Sequence, residues 1–365
     1  MKKKIFLTVA AIGVAAANVS LSVGCSVQPE KTDVISVDIS KMNHPVCVIE
    51  NVIPLETTND VLIGRNYKIQ ITPQYYIVGD QHKIIVFSKR GQSKTIISPL
   101  GNGPNEVAYI DFYYADDTSV MIMDVKNRIM EFDYNSRFLK SHPVNAIYHI
   151  FACFNDFYLF DNQTPSTEKG NVLSIADKTG KIIKDTIPVI AEGVNYGRNK
   201  FQIFKNYALY LPTMSNIIYK IDESANVFPA YQLDFGKYWQ DAKTSNKVIA
   251  DAKGDAFALW KYLAKYDRIG FLSYFDTQEW LFLNFEKRDK RYNWYYNKES
   301  KKQYLIECDG SSVAALDIIG VENNRFIAVL EAADYLNSTV VPKLDNLPED
   351  NNPVFVIFDI NTALN

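Results

Sequence analysis

A short motif recurs along this chain: an apolar strand ends in Asp or a close substitute, a polar turn follows, and a new strand begins. It reads FDYNSRFL from Phe132, ADKTGKII from Ala176, IDESANVF from Ile221 and FDINTALN from Phe358. FSKRGQSK from Phe87 and YNKESKKQ from Tyr296 are looser copies, with Ser88 and Asn297 in the Asp place. An Asp or Asn side chain accepts hydrogen bonds from backbone N–H groups two residues on, which fixes a tight hairpin. Ser88, Asp133, Asp177 and Asp222 follow one another at about 45 residues, the period of a four-stranded propeller blade. The longer intervals before Asn297 and Asp359 imply insertions of about 30 and about 17 residues on that period.

Two short strands precede each turn in the clearest units. YIDFYY, SVMIMD and RIMEFD lead to FLKSH; FQIFK, YALYLP and NIIYKID lead to PAYQLDF. Six such units predict an all-β fold, a six-bladed propeller of four-stranded blades. The aromatic share of 13%, with 23 Tyr and 21 Phe, agrees with half-buried pleated surfaces. The last unit, VFVIFDINTALN, stops after its third strand and turn, while PVCVIENVIPLE from Pro45 has no blade of its own. Pairing the two closes the ring and removes exposed edges, so the N-terminal strand is expected to complete the C-terminal blade.

The first thirty residues carry an address. Three lysines precede an apolar run from Ile5 to Ala17 and a small-residue stretch ending at Cys25. This is a secretory signal, and the run is too short for the roughly 20 residues that cross a bilayer. Ser22-Val23-Gly24 before Cys25 resembles a lipobox, which implies cleavage there and lipid on Cys25. The expected organisation is a signal peptide over 1–24, a polar tether over 25–45 and a propeller over 46–365. The net charge of -3 includes Lys2, Lys3 and Lys4, so the mature chain is more acidic still, and nucleic acid is not an expected partner.

The stretch SPLGNGPNEVAYI, from Ser98, has a strand on either side rather than a helix after it. Its third glycine is absent and no Lys-Ser/Thr pair follows, so it is read as an inter-blade turn and not a phosphate loop. Gly103 is expected to supply positive φ, and Glu106 to tie the turn through backbone N–H groups. Together with IPLETTNDVLIGR and IIYKIDESANVFPAYQLDFGK, the GNGPNEV element resembles the six-bladed β-propeller lipoproteins of Bacteroidota, which are similar to NHL-type propellers. The resemblance spans about residues 46–365. It departs at Asn105, where that family often has Gly. It implies an envelope protein lipid-anchored to the outer membrane, with a glycan, peptide or protein partner and no established catalytic residues.

The first insertion holds the one helical stretch, SNKVIADAKGDAFALWKYLAKY, interrupted at Gly254. Packing on the propeller is its expected role; the functional alternative is a lid with Trp260 on a ligand. EWLFLNFEKRDKRYNWYYNKE, which contains Trp280, is a hairpin with a basic turn ending at Arg291. Tyr292, Trp294 and Tyr296 share one face of its second strand. That row packs between blades or stacks on sugar rings. Trp260, Trp280, Arg291, Tyr292, Trp294 and Tyr296 are therefore the candidate ligand-binding residues. The second insertion, DYLNSTVVPKLDNLPEDNNP, reads as a solvated loop.

No catalytic constellation emerges. H-E-x-x-H and G-x-S-x-G are absent, and His44, His82, His142 and His149 are scattered. No cysteine pair has zinc-ligand spacing. Neither a metal nor a cofactor is expected. The expected function is a non-catalytic binding or scaffold propeller; the alternative is a hydrolase or lyase using carboxylates in the propeller channel. The discriminating feature is whether carboxylates converge in that channel with a His or Arg.

Overall fold

The computed structural model describes residues 32–361, apart from 65, 111, 149, 163–169, 190–198, 254 and 256. The expected lipidation site Cys25 and the expected interruption at Gly254 therefore lie outside the described residues. Residues 31–365 form one compact unit, separate from 1–30.

Six sheets make the ring, each a blade of consecutive antiparallel strands running outward from the axis. Blade 1 has strands Lys68–Ile71, Tyr75–Gly79, Ile84–Ser88 and Ser93–Ile97. Blade 2 spans Tyr113–Pro143, blade 3 Ile150–Pro188, blade 4 Phe201–Asp234 and blade 5 Leu272–Glu307. Blade 6 takes Asp317–Glu322, Arg325–Leu330 and Val354–Ile360 from the C-terminal end, and Cys47–Pro54 as its outer strand. Cys47 pairs with Ile360 and Pro54 with Val354, so the expected ring closure is formed.

The recurrent turn sits between the third and fourth strands, as its periodicity predicts. Asp133 Oδ1 accepts from the N–H groups of Asn135 and Arg137, both at 2.9 Å. Asp177 takes Thr179 and Lys181, Asp222 takes Ser224 and Asn226, and Asn297 takes Glu299 and Ser300. The third residue after each Asp is left-handed: Ser136, Gly180 and Ala225 have φ of 65°, 82° and 60°. This is a type I turn followed by an αL residue, the usual three-residue hairpin loop with a bulge.

Side chains alternate between the two sides of each blade, so the core is divided into slabs between neighbouring blades. Six buried clusters fill the six seams, and a seventh lies under the helical insertion. One close approach shows how tightly a seam is closed. Tyr113 of blade 2 accepts from Gly79 N–H at 3.0 Å and donates to Lys68 O at 2.6 Å. A Cβ on Gly79 would stand 2.5 Å from the Tyr113 ring, which excludes any side chain there.

Antiparallel order puts the first–second and third–fourth hairpins at one end of the ring. The second–third hairpins and the crossovers between blades lie at the other end. Both insertions use that second end, here called the insertion face. The first forms α1 (Ala242–Asp251) and α2 (Phe257–Lys265) between blades 4 and 5. The second forms α3 (Ala332–Asn337) and the segment after it, within blade 6.

Two expectations are corrected. The tether expected over 25–45 is docked from Asp33 onward: Asp33–Ser36 adds in parallel to the outer strand of blade 4. Ile35 and Val37 alternate into the seam between blades 4 and 5, and this apolar period of two overrides the polar composition around them. The Gln303 amide of blade 5 then grips the segment, accepting from Asp38 N–H at 3.0 Å and donating to Ser36 O at 2.8 Å. Asn43 pairs with Leu305 of the same strand. One N-terminal segment thus crosses the outer edges of blades 4 and 5 before becoming the edge of blade 6. The second correction concerns the loop expected to be solvated in blade 6. Tyr335 is fully buried, its hydroxyl donating to Pro342 O and accepting from Leu344 N–H. Asn352, 2% exposed, donates to Glu56 O and Val61 O and accepts from Ile63 N–H.

Candidate functional site

The first strands of all six blades line a central channel of about 860 Å³. Its wall is short strand after short strand with Ile, Phe and Val at the inner positions, since two strand faces already serve the seams. Several of the polar groups in the wall have structural partners. Gln70 of blade 1 donates to Tyr113 O at 3.2 Å and accepts from Ala115 N–H at 2.5 Å. Gln202 of blade 4 treats Asp276 alike, donating to its O at 2.6 Å and accepting from its N–H at 2.7 Å. Each amide therefore completes the backbone pairing of the next blade's inner strand, and a pair of Gln side chains rivets two seams. Amides paired in this way hold the wall in place.

The carboxylates of the channel are Asp116 and Asp117, neighbours on one turn. Asp116 Oδ1 is held by Thr118 N–H at 2.8 Å, Thr118 Oγ1 at 2.8 Å and Ser119 N–H at 2.9 Å. No Arg or His is among the described lining residues, and His149 lies outside the described set. Lys200 enters the wall near the insertion face, 2% exposed, with its ammonium on Thr213 Oγ1. Burial pulls this lysine down to about 8, against the Asp161 carboxylate, which favours its charge. Cys153 also borders the channel; burial pushes its thiol up to about 12, so it is not a thiolate nucleophile at neutral pH. Cys47 and Cys308 are likewise free, raised by burial to about 12 and about 11.

The six candidate ligand residues do not meet in one place. Trp294 and Tyr296 are 0% and 8% exposed, stacked at 5.6 Å and 3°, in the seam between blades 4 and 5. Trp294 Nε1–H donates to Gln303 Oε1 at 3.1 Å. Tyr292 continues the row, half-buried against Phe285 at 5.8 Å. Trp280 points the other way and is fully buried between blades 5 and 6. Trp260 stacks on Phe271 at 4.4 Å under α2. Arg291 faces Asp317 at 3.4 Å. The aromatic row therefore packs blade on blade, and full burial puts Trp280 and Trp294 out of a ligand's reach.

The glycine stretch is a turn built around two side chains. Glu106 Oε2 accepts from Gly103 N–H at 2.7 Å. Arg128 of blade 2 donates to Pro104 O at 2.8 Å and Glu106 O at 2.9 Å while pairing with Asp124 at 2.7 Å. Gly103 is not left-handed as expected. The Glu106 carboxylate crowds both glycines: it would lie 2.0 Å from a Cβ on Gly101, whose φ of 158° also disfavours a side chain, and 2.9 Å from one on Gly103.

Sequence reasoning missed Gln70, Gln202, Lys200 and Arg128. The one available signal was a Gln-Ile pair in the first strands of units one and four, KIQI and FQI.

Among known proteins, a family model described as a domain of unknown function, DUF4934, matches residues 50–359. No curated protein matches the chain. Two crystal structures share the fold. A Bacteroides fragilis protein whose given name calls it exported is 16% identical, with a TM-score of 0.76 over 91% of this chain and 100% of that one. A DUF4221 family member from Bacteroides vulgatus is 10% identical, with a TM-score of 0.51 over 88% and 99%.

Proposed function

The chain belongs to the DUF4934 family, and from that premise we propose a non-catalytic binding or scaffold propeller of the bacterial envelope. Lipid on Cys25 holds it to the outer membrane, and a glycan, peptide or protein partner is taken at the central channel. The basic start, apolar run and lipobox-like end of residues 1–25 support the anchor. The name of the Bacteroides fragilis structure supports export. NHL-like kinship remains part of this reading.

One observation carries the non-catalytic part: the carboxylates among the described channel-lining residues are two neighbours on one turn, with no Arg or His beside them. Gln70 and Gln202 are consumed by ring closure and Asp116 by its own turn. Glycoside hydrolysis needs two carboxylates on opposite sides of a bond, about 5 to 9.5 Å apart. Asp116 and Asp117 sit side by side on one turn instead.

The test is a glycan and peptide array screen with residues 31–365, repeated with Ile203→Trp, which narrows the channel. Binding should fall at least about tenfold in the variant, the loss of one well-packed contact region. Mass spectrometry of the recovered ligand should show it intact. Binding that ignores the narrowed channel removes the channel from the reading, and a cleaved ligand restores the hydrolase or lyase. For the anchor, Cys25→Ala should move the full chain from the membrane to the soluble fraction.

A further inference from the structure

The helical insertion presents a face that the propeller does not use. On its inner side Leu259 and Leu263 are buried with Met214, Ile249 and Phe271. On its outer side Phe257, Lys261 and Lys265 stand at i, i+4 and i+8, one stripe about 12 Å long. Phe257 is 75% exposed, the highest value among the described exposed large hydrophobic side chains. It extends an apolar scatter on the insertion face that includes Leu62, Leu100, Tyr109 and Leu336.

Lysines outnumber carboxylates in the insertion, six to four over residues 237–267. The four carboxylates of the insertion are all engaged. Asp241 caps α1 through Thr244 N–H at 2.8 Å, and Asp255 accepts from Phe257 N–H at 2.9 Å. Asp251 pairs with Lys247 at 2.5 Å, and Asp267 pairs with Lys287 and Arg288 at 3.1 and 3.0 Å. Lys243, Lys253, Lys261 and Lys265 are exposed and form no ion pair among the described residues. A chain of net charge -3 thus concentrates unpaired cations around its most exposed phenyl ring. An exposed phenyl ring can enter the acyl boundary while neighbouring lysines meet anionic headgroups.

We propose that α2 docks on an anionic phospholipid surface, with Phe257 entering the acyl boundary and Lys261 and Lys265 on headgroup phosphates. This contact is separate from the lipid on Cys25, because the test uses a form without that residue.

Residues 31–365, the compact unit with the closed ring, would be sedimented with two kinds of vesicle. One contains phosphatidylglycerol and phosphatidylethanolamine, the other phosphatidylcholine alone. Partition should favour the anionic vesicles and fall as salt rises. Phe257→Ala should lower it about tenfold, from the lost apolar burial. Lys261→Gln with Lys265→Gln should lower it on the order of 30-fold, the product of two lysines at a charged surface. Ile183→Ala, an exposed apolar change on the outer strand of blade 3, should leave it unchanged. Near-ultraviolet circular dichroism checks that each variant is folded. Equal partition onto both vesicles, no partition, or an unaffected Phe257→Ala protein overturns the proposal. So does binding to an acidic polysaccharide in place of vesicles.

Discussion

Replacing Trp294 by alanine separates the packing role of the aromatic row from a ligand role. The indole is fully buried in the seam between blades 4 and 5, stacked on Tyr296 and surrounded by side chains that include Leu209, Ile218 and Leu233. Removing a buried Trp costs about 3–5 kcal/mol, as lost burial plus a cavity that neighbours only partly refill. The lost hydrogen bond adds little, because Gln303 Oε1 keeps Asp38 N–H at 3.0 Å. A seam between two sheets held on both sides has little freedom to collapse, so the middle of that range, about 4 kcal/mol, is expected. With an unfolding entropy of about 2.1 cal/mol/K per residue over roughly 330 residues, Tm should fall by about 6 °C. Trp294→Phe should recover more than half of this, since it restores most of the buried ring. The assay is thermal and urea unfolding followed by near-ultraviolet circular dichroism. A Trp294→Ala protein within 1 °C of the wild type that has lost ligand binding would refute the packing argument.

Three further outcomes follow from individual contacts. Glu131 is held near 2, first by its hydrogen bond from His142 at 3.1 Å and then by Lys140. A depressed carboxylate stabilises the fold above its unfolded value near 4.5, and that contribution is lost as pH falls towards 2. The urea midpoint of Glu131→Gln should therefore lie below wild type at pH 6 and converge with it near pH 2; a pH-independent gap would contradict the linkage. Asp222→Ala leaves the Ser224 and Asn226 N–H groups without their acceptor and should cost about 1 kcal/mol in urea unfolding. Asp222→Asn, which reproduces the natural residue at Asn297, should cost less than half as much, and equal losses would discount the side-chain acceptor. Gly101→Ala puts a methyl 2.0 Å from Glu106 Oε2 and should cost about 1–3 kcal/mol in urea unfolding. In a Glu106→Ala background the part of the cost due to the carboxylate should vanish while the backbone strain at φ 158° remains, and fully additive losses would show that the carboxylate does not contribute.

The sequence by itself determined the ring. Its evidence is local: an Asp or Asn side chain reaches N–H groups two to four residues on, and that chemistry repeats where the third strand turns into the fourth in blades 2 to 5. The unpaired ends PVCVIENVIPLE and VFVIFDINTALN were legible for a similar reason, as a blade short of one strand has only one economical completion. Which face of Trp294 and Tyr296 meets protein was undecidable, since alternation puts them on one side without saying what lies there. The tertiary structure decided that the side is a seam. It also decided the fate of Gln70 and Gln202, whose partners lie 43 to 74 residues away. The parallel docking of Asp33–Ser36 onto Tyr231–Asp234 belongs to the same class. Such contacts exist only after the blades stand side by side, because closing the ring brings together groups with no shared local pattern.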